Sequence, residues 1–390
     1  MNKKIIKIFV LFVLIMFFGW IGNLFFGRYL TPTLIKSKVF SRLEIFSNDN
    51  KNTTIINKTE KVIVREDDSI GEIASSAVYA VVNVLSFQKG EEVAKKVTSL
   101  ETKEKYIGGA QGTGTILTND GIIVTTRDSI IETNADYKVV TLGGNVLDAK
   151  LLGVDDFANL AYLKVEGFNL TTIPFIAGSE VSSGKKVILI GKLSGLQKTY
   201  LTEGILGGFD ESFNLAGGEV SSSEKLEGVL NIDISEGDKY VGGPVINYSG
   251  ELLAISAEVT IDGGKKYFQI PAQIVKDSMQ KIVENRIDQT AKLGAYYISL
   301  SPYYKNLKEL SVDKGALIYS STGKQGLAIL AGSPAEKAGL KINDIILSID
   351  GNEINPAHPL SNFINQYEKG NSATLNVLRE GKEMEITIEF

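Results

Sequence analysis

The 390-residue sequence has no cysteine and only one histidine. Without cysteine the chain has neither a thiol nucleophile nor a disulfide bond, although this absence does not fix the cellular compartment. The single histidine, His358, lies between Ala357 and Pro359. We expect it to be exposed, just before a short helix, and not to bind a ligand. A zinc site is not expected from such a composition, and neither is another metal or a cofactor.

A large excess of charge of one sign is also lacking. The chain has 41 basic and 46 acidic residues, which gives a formal net charge of −5. Proteins that bind nucleic acid usually carry a basic surface, so this balance argues against a nucleic-acid partner. The length allows two or three domains with ample hydrophobic cores.

One long apolar run is present near the N-terminus, from Ile8 to Phe26, with Asn23 as its polar member. As a helix it would extend over ~28 Å, about the thickness of a bilayer core. A cleaved signal peptide would have a shorter apolar region followed by a small-x-small site, which Gly27–Pro32 does not provide. We therefore predict a retained transmembrane anchor over residues 1–27, followed by a polar stalk over residues 28–69.

The orientation of this anchor does not follow from its charges. Lysines precede the apolar run and further basic residues follow it, so the positive-inside rule is ambiguous here. The basic residues concerned are Lys3, Lys4, Lys7, Arg28, Lys36, Lys38 and Arg42.

From about residue 80 to residue 272, short apolar runs alternate with turns rich in glycine. This pattern predicts a mainly β domain, a barrel or a sandwich. Apolar residues at helical spacing predict helices near Ser69–Val78 and over Ala272–Val283. The charged segment Gly90–Lys105 is predicted to be an exposed loop. The glycine-rich run Gly108–Gly114 leads into a β-branched strand and not into a helix, which favours close backbone packing over phosphate binding.

Three segments carry a resemblance to a known family: Gln111–Asp128, Asp155–Val165 and Asp238–Asn247. They resemble the motifs around the catalytic His, Asp and Ser of the HtrA (Deg) family of trypsin-like serine proteases with PDZ domains. The resemblance implies a trypsin-like double β-barrel over residues 70–285. It places Asp128, Asn159 and Val241 at the three triad positions.

The chemistry of these three residues does not support acyl transfer. Val241 has no nucleophilic atom, and the carboxylate of Asp128 is a poorer general base than the imidazole of a histidine. Asn159 carries no charge that could stabilise an imidazolium. Lys239 stands where the family has a glycine that shapes the oxyanion hole. We therefore predict no catalytic residue, with an active endopeptidase that uses displaced residues, such as a Ser/Lys dyad, as the alternative.

A second resemblance covers the last ~100 residues. The segment Leu327–Ile354 resembles the core of a PDZ domain, predicted here over residues 290–390. Within it, Ser333 and Pro334 predict the start of a short helix and Gly339 its end.

By the same resemblance, Lys292–Ala295 corresponds to the loop that binds the terminal carboxylate of a peptide in PDZ domains. The predicted peptide-binding residues are Leu293, Gly294, Ala295, Leu360 and Ile364. Leu360, Phe363, Ile364 and Tyr367 are predicted to line one face of a second helix. For Leu293 and Leu360, plain core packing is the alternative interpretation.

Together these observations predict a single-pass membrane protein, and the family resemblance implies that its folded domains lie outside the cytoplasm. We expect an HtrA-like pseudoprotease that binds peptide C-termini or unfolded protein segments. Its role would lie in envelope quality control or in regulating an active relative. The family resemblance also implies a homo- or hetero-oligomer, a trimer in active members. A passive scaffold that uses neither groove is a further alternative.

Overall fold

The computed structural model describes residues 12–19, 66–89, 109–167, 169–177, 183–192, 199–216, 218–261 and 264–390. Residues 1–63 and 64–390 form separate units. In the first unit, residues 12–19 are helical. None of the helices in the described ranges is both long and apolar enough to span a bilayer. The rest of the predicted anchor, most of the stalk and the whole loop predicted at Gly90–Lys105 lie outside the described residues.

The second unit begins with helix α1 (Glu66–Ala77), which confirms the helical spacing noted near Ser69. A closed β-barrel follows, with strands in the order β1-β2-β3-β6-β5-β4. These strands are β1 (Val81–Gln88), β2 (Ala110–Ile116), β3 (Ile122–Thr126), β4 (Ala135–Val140), β5 (Val146–Asp155) and β6 (Leu160–Val165). The strand β2 contains most of the glycine-rich run, which therefore leads into a sheet and not into a helix.

A second closed barrel has the strand order β10-β13-β12-β11-β7-β8. The strands in this part of the chain are β7 (Lys186–Lys192), β8 (Thr199–Asn214), β9 (Ser221–Ser222), β10 (Glu227–Asp233), β11 (Pro244–Ile246), β12 (Leu252–Ile261) and β13 (Gly264–Pro271). The short strand β9 lies in the connection between β8 and β10 and pairs outside the barrel. These barrels confirm the mainly β fold that the sequence predicts.

One hydrophobic cluster joins the two barrels. It includes Val84 and Ile123 of the first barrel and Ile190 and Ile246 of the second, all of which are fully buried. β-branched residues dominate these positions because they pack well on a pleated surface. The relative position of the barrels is therefore fixed by the core itself.

Helix α2 (Ala272–Val283) ends the second barrel at the residues that the sequence predicts. It packs back against the first barrel, where the buried hydroxyl of Tyr162 donates to the carbonyl of Val275 at 2.9 Å. The predicted linker Asn285–Gln289 contains a 3-10 turn over Ile287–Gln289.

The C-terminal part is a twisted sheet with short helices. Its strand order is β19-β18-β16-β15-β14-β9, with β17 paired to β16. The strands are β14 (Tyr296–Ser299), β15 (Ala316–Ile318), β16 (Ile345–Ile349), β17 (Asn352–Glu353), β18 (Ser372–Arg379) and β19 (Lys382–Glu389). The helices are α3 (Pro302–Leu307), α4 (Gln325–Ala328), α5 (Pro334–Lys337) and α6 (Leu360–Ile364). An edge strand of this sheet thus comes from the barrel region.

Two local predictions hold here and one needs correction. Ser333 caps α5, since its hydroxyl accepts from the N–H of Glu336, and Pro334 is the first helical residue. His358 is exposed just before α6. Tyr367 was predicted on the face of the second helix, but α6 ends at Ile364. The chain turns there because the N–H of Tyr367 bonds to the carbonyl of Ile364 at 3.1 Å.

The docking of α2 generates a stability prediction. Replacing Tyr162 by phenylalanine removes the buried hydrogen bond to Val275. We expect the free energy of unfolding to fall by about 1 kcal/mol. Urea unfolding of the full chain would measure the change. Tyr79→Phe is the matched control, because Tyr79 is 58% exposed. Equal stability of the two variants would contradict the role assigned to Tyr162.

Candidate functional site

The first two triad positions lie side by side. Asp128 is exposed in a 3-10 turn, Arg127–Ser129, that follows directly on β3. Asn159 has a φ of 57° in the turn between β5 and β6. Its side-chain amide donates to Oδ2 of Asp128 at 3.1 Å. The N–H of Arg127 donates to the carbonyl of Asn159 at 3.0 Å. The structure therefore places an amide and a carboxylate together where the resemblance expects a base and its orienting acid.

The loop with Val241 is held between the two barrels by its glycines. Gly242 has a φ of +82°, and a Cβ there would lie 2.1 Å from the carbonyl oxygen of Thr113. A Cβ at Gly243 would lie 1.9 Å from the carbonyl oxygen of Ile190. The N–H of Gly242 also donates to the carbonyl of Ser256 at 2.7 Å. The Gly-Gly pair is thus required by close backbone packing, whatever residue stands before it.

In the oxyanion region, the backbone N–H of Lys239 is not available to a substrate oxygen. Residues Gly237–Tyr240 form a 3-10 turn, in which the N–H of Lys239 donates to the carbonyl of Glu236 at 3.1 Å. The ammonium group of Lys239 pairs with the Glu236 carboxylate at 2.5 Å. It also lies 5.0 Å from the centre of the Tyr200 ring. The N–H that would face a developing oxyanion is therefore already engaged.

Hydroxyl groups beside these positions take part in the hydrogen bonds of the fold. Thr125 donates to the carbonyl of Thr113 at 2.7 Å. Thr126 and Ser129 share a hydrogen bond of 2.7 Å between their buried hydroxyls. A displaced nucleophile at one of these residues would have to break a buried hydrogen bond.

The predicted carboxylate loop has a left-handed backbone at Gly294, which suits a glycine. This residue has a φ of +76°, and a Cβ there would lie 2.3 Å from Cβ of Ser333. The remaining predicted peptide-binding residues belong to the hydrophobic core of the C-terminal sheet. Leu293, Ala295, Leu360 and Ile364 are all at most 1% exposed. The alternative of core packing thus describes the present surroundings of Leu293 and Leu360.

Sequence reasoning missed the residues that contact this loop. Gly294 donates its N–H to the Glu224 carboxylate at 2.8 Å. Ala295 donates its N–H to the Ser223 hydroxyl at 3.0 Å. The N–H of Ser223 in turn donates to the carbonyl of Ala295 at 3.0 Å. A run of serines followed by glutamate indicates only a polar turn, so no pattern in the sequence could have identified this contact.

A cavity of about 690 Å³ lies between the two candidate sites. Arg127, next to Asp128, lines it on the barrel side, and Lys292 and Lys369 line it on the side of the C-terminal sheet. A hydrogen bond from Arg127 to Glu132 and the nearby charge of Asp156 raise the pKa of the guanidinium. Asp155, which is almost fully buried beside this cavity, has its pKa raised by desolvation. The charges of both signs make this a polar space.

Two family models match the chain. A trypsin-like peptidase domain covers residues 112–255. A PDZ domain covers residues 306–390.

Curated relatives and solved structures match over most of the chain. The serine protease Do-like HtrA of Bacillus subtilis is 28% identical over 331 residues, which are 82% of this chain and 72% of that protein. The periplasmic serine endoprotease DegP of Escherichia coli K12 is 27% identical over 285 residues, which are 72% of this chain and 57% of that protein. The chain spans about half the length of DegP-like relatives, for example 53% of one from Rhizobium meliloti.

Structures of the HtrA-type protease AlgW share the fold. The complex with a tripeptide has a TM-score of 0.61 at 22% identity and covers 82% of this chain and 95% of AlgW. The complex with a decapeptide has a TM-score of 0.59 at 20% identity and covers 82% and 97%. The two family models show that the chain has a trypsin-like peptidase domain followed by a PDZ domain. Together with the curated relatives they support an HtrA-family protein, and the AlgW structures show the same fold.

Proposed function

We propose that this HtrA-family protein is a pseudoprotease that binds peptides through its PDZ domain. The observation that carries the proposal is the composition of the three triad positions. Asn159 and Asp128 form a hydrogen-bonded pair, and the third position, Val241, has no nucleophilic atom. The engaged N–H of Lys239 supports the same conclusion, because it is not directed at a substrate.

The proposed ligands are peptide C-termini or unfolded protein segments. The backbone of Gly294 already receives a carboxylate, that of Glu224, at hydrogen-bonding distance. The N–H groups of a PDZ loop bind the terminal carboxylate of a peptide in the same manner. Two structures of AlgW, which has the same fold, contain peptides. These facts favour a binding role in envelope quality control or in the regulation of an active relative.

The proposed location is the cell envelope, with a single membrane anchor in residues 1–27 and the folded domains outside the cytoplasm. The DegP relative of Escherichia coli is named as a periplasmic protein. The apolar run Ile8–Phe26 is the observation in favour of the anchor. We also propose that the chain forms an oligomer, a trimer, either with itself or with other HtrA-like proteins. The domain boundaries proposed above, 70–285 and 290–390, remain predictions.

The catalytic part of the proposal predicts no proteolysis. We expect the full chain to show neither casein turnover nor fluorophosphonate labelling, since it lacks an activated nucleophile at residue 241. The triple variant Asp128→His, Asn159→Asp, Val241→Ser should remain at least about 100-fold below an active HtrA protease, because one oxyanion donor is engaged.

Escherichia coli DegP serves as the active control for this assay. A further change, Lys239→Gly in the triple variant, tests whether the oxyanion region limits the revertant. Turnover by the unmodified chain would refute the pseudoprotease and favour the alternative of displaced catalytic residues.

The binding part predicts that Gly294→Val abolishes peptide capture. The valine would place its Cβ 2.3 Å from Ser333 and would close the nest. Binding would be measured on an array of immobilised decapeptides with free carboxyl termini, beside amidated copies. Gly370→Val is the matched control, because Gly370 also has a positive φ (83°) but open space around it. Unchanged binding by Gly294→Val would refute the assignment of the nest.

The anchor predicts a membrane-bound chain. After extraction of cell membranes with alkaline carbonate, we expect the full chain to stay in the pellet. A variant that lacks residues 1–27 should appear in the supernatant, because its apolar run is removed. The same distribution for both proteins would contradict the anchor.

A further inference from the structure

A strand from the trypsin-like domain pairs with β14, which would otherwise be an edge strand of the PDZ sheet. The strand β9 pairs antiparallel with β14, with Tyr296 opposite Ser222 and Tyr297 opposite Ser221. The pairing continues at Ser223, whose N–H donates to the carbonyl of Ala295 at 3.0 Å. A bound peptide would add to the sheet at this same edge, as an extra strand. The edge is therefore already paired within the chain.

The direction of the internal strand is that of a ligand that ends at the carboxylate loop. From Ser221 to Glu224 the chain runs along β14 toward Gly294. Glu224 then places its side-chain carboxylate 2.8 Å from the N–H of Gly294. The Ser223 hydroxyl receives the N–H of Ala295 at 3.0 Å. Two donors of the loop are thus satisfied by oxygen atoms of this segment.

A buried hydrogen-bonded chain ties the same region to the second wall of the groove. The hydroxyl of Tyr297, which is fully buried, donates to Oε2 of Glu227 at 2.6 Å. It accepts from the N–H of Ser361 in α6 at 3.0 Å. Burial raises the pKa of Glu227, as is usual for a carboxyl group removed from water. One hydrogen-bonded network around the groove therefore joins β14, α6 and the barrel residue Glu227.

We infer that Ser221–Glu224 is an internal ligand of the PDZ groove, in which the Glu224 side chain takes the place of a terminal carboxylate. This inference rests on the proposed peptide-binding function. A partner peptide with a free C-terminus must displace this segment before it can bind. In this structure the PDZ groove is occupied by the chain's own segment.

The segment Ser221–Glu224 is held weakly enough for a peptide to displace it. Its regular strand has two residues, Ser221 and Ser222, so few backbone hydrogen bonds hold it. Glu224 is only half-buried and lines the cavity beside Lys292. A peptide that binds by its own C-terminal carboxylate would also pair its backbone with the edge of β14. This new pairing would replace the hydrogen bonds that β9 loses.

A first experiment tests the internal ligand without any peptide. Amide hydrogen exchange of Gly294 and Ala295 would be measured in the full chain. We expect Glu224→Ala to accelerate exchange at these residues about tenfold or more, because a charge-assisted hydrogen bond is lost. Glu224→Gln, which keeps a neutral acceptor, should give a smaller acceleration. Glu166→Ala, which removes an exposed carboxylate after β6, is the control and should change nothing.

A second experiment uses the lack of cysteine in the chain. Ser222 and Tyr296 lie opposite each other in the register, so the pair Ser222→Cys, Tyr296→Cys is placed for a disulfide. Oxidation should lock β9 onto β14 and remove binding to the decapeptide array, and reduction should restore it. The two single-cysteine variants are the controls. Glu224→Ala should bind array peptides about tenfold more tightly than the unmodified chain.

The outcomes separate this inference from the proposed function. Faster exchange in Glu224→Ala without peptide binding by any variant would support the internal ligand and refute peptide binding. Unchanged exchange, or equal peptide affinity of the locked and unlocked forms, would overturn the internal ligand and leave peptide binding standing. Faster exchange with tighter peptide binding would support both.

Discussion

Backbone N–H groups that are removed from water need an acceptor, and this constraint organises the contact between the two domains. Gly294 and Ala295 present such groups at the end of the PDZ loop, and Glu224 and Ser223 supply the acceptors. An unpaired donor there would cost about 1–3 kcal/mol. The pairing of β9 with β14 therefore serves fold stability and groove occupancy at once.

In the trypsin-like domain, the residues that the fold requires are not the ones that catalysis would require. Gly242 and Gly243 are required because neighbouring carbonyls approach them too closely for a side chain. Residue 241, directly before this pair, is a valine, which fits the same turn without a nucleophilic atom. The two remaining triad positions retain contact with each other through Asn159 and Asp128. The fold motif and the catalytic groups are thus separate requirements on this sequence.

The sequence predicts the local elements well, because they depend on neighbouring residues. The spacing of apolar residues locates Ala272–Val283 to the residue, and Ser333 identifies a helix start through its own cap. The meeting of Asp128 with Asn159 follows only from the family resemblance. The contact of Glu224 with Gly294 joins residues 70 positions apart. Its serine-rich segment has no periodicity, so only tertiary packing reveals that it is a strand.

The segment that fills the groove continues directly into the region of the triad positions. Lys225 donates to the carbonyl of Asp156 at 2.7 Å, and the N–H of Leu226 donates to the carbonyl of Phe157 at 2.9 Å. These carbonyls belong to the turn that carries Asn159. If displacement of this segment moves the turn, then by thermodynamic linkage a molecule that prefers one position of the turn alters peptide affinity, and the peptide alters the affinity for that molecule by the same factor. The cleft beside the triad positions would then act as an effector site, whose output is a change in peptide affinity.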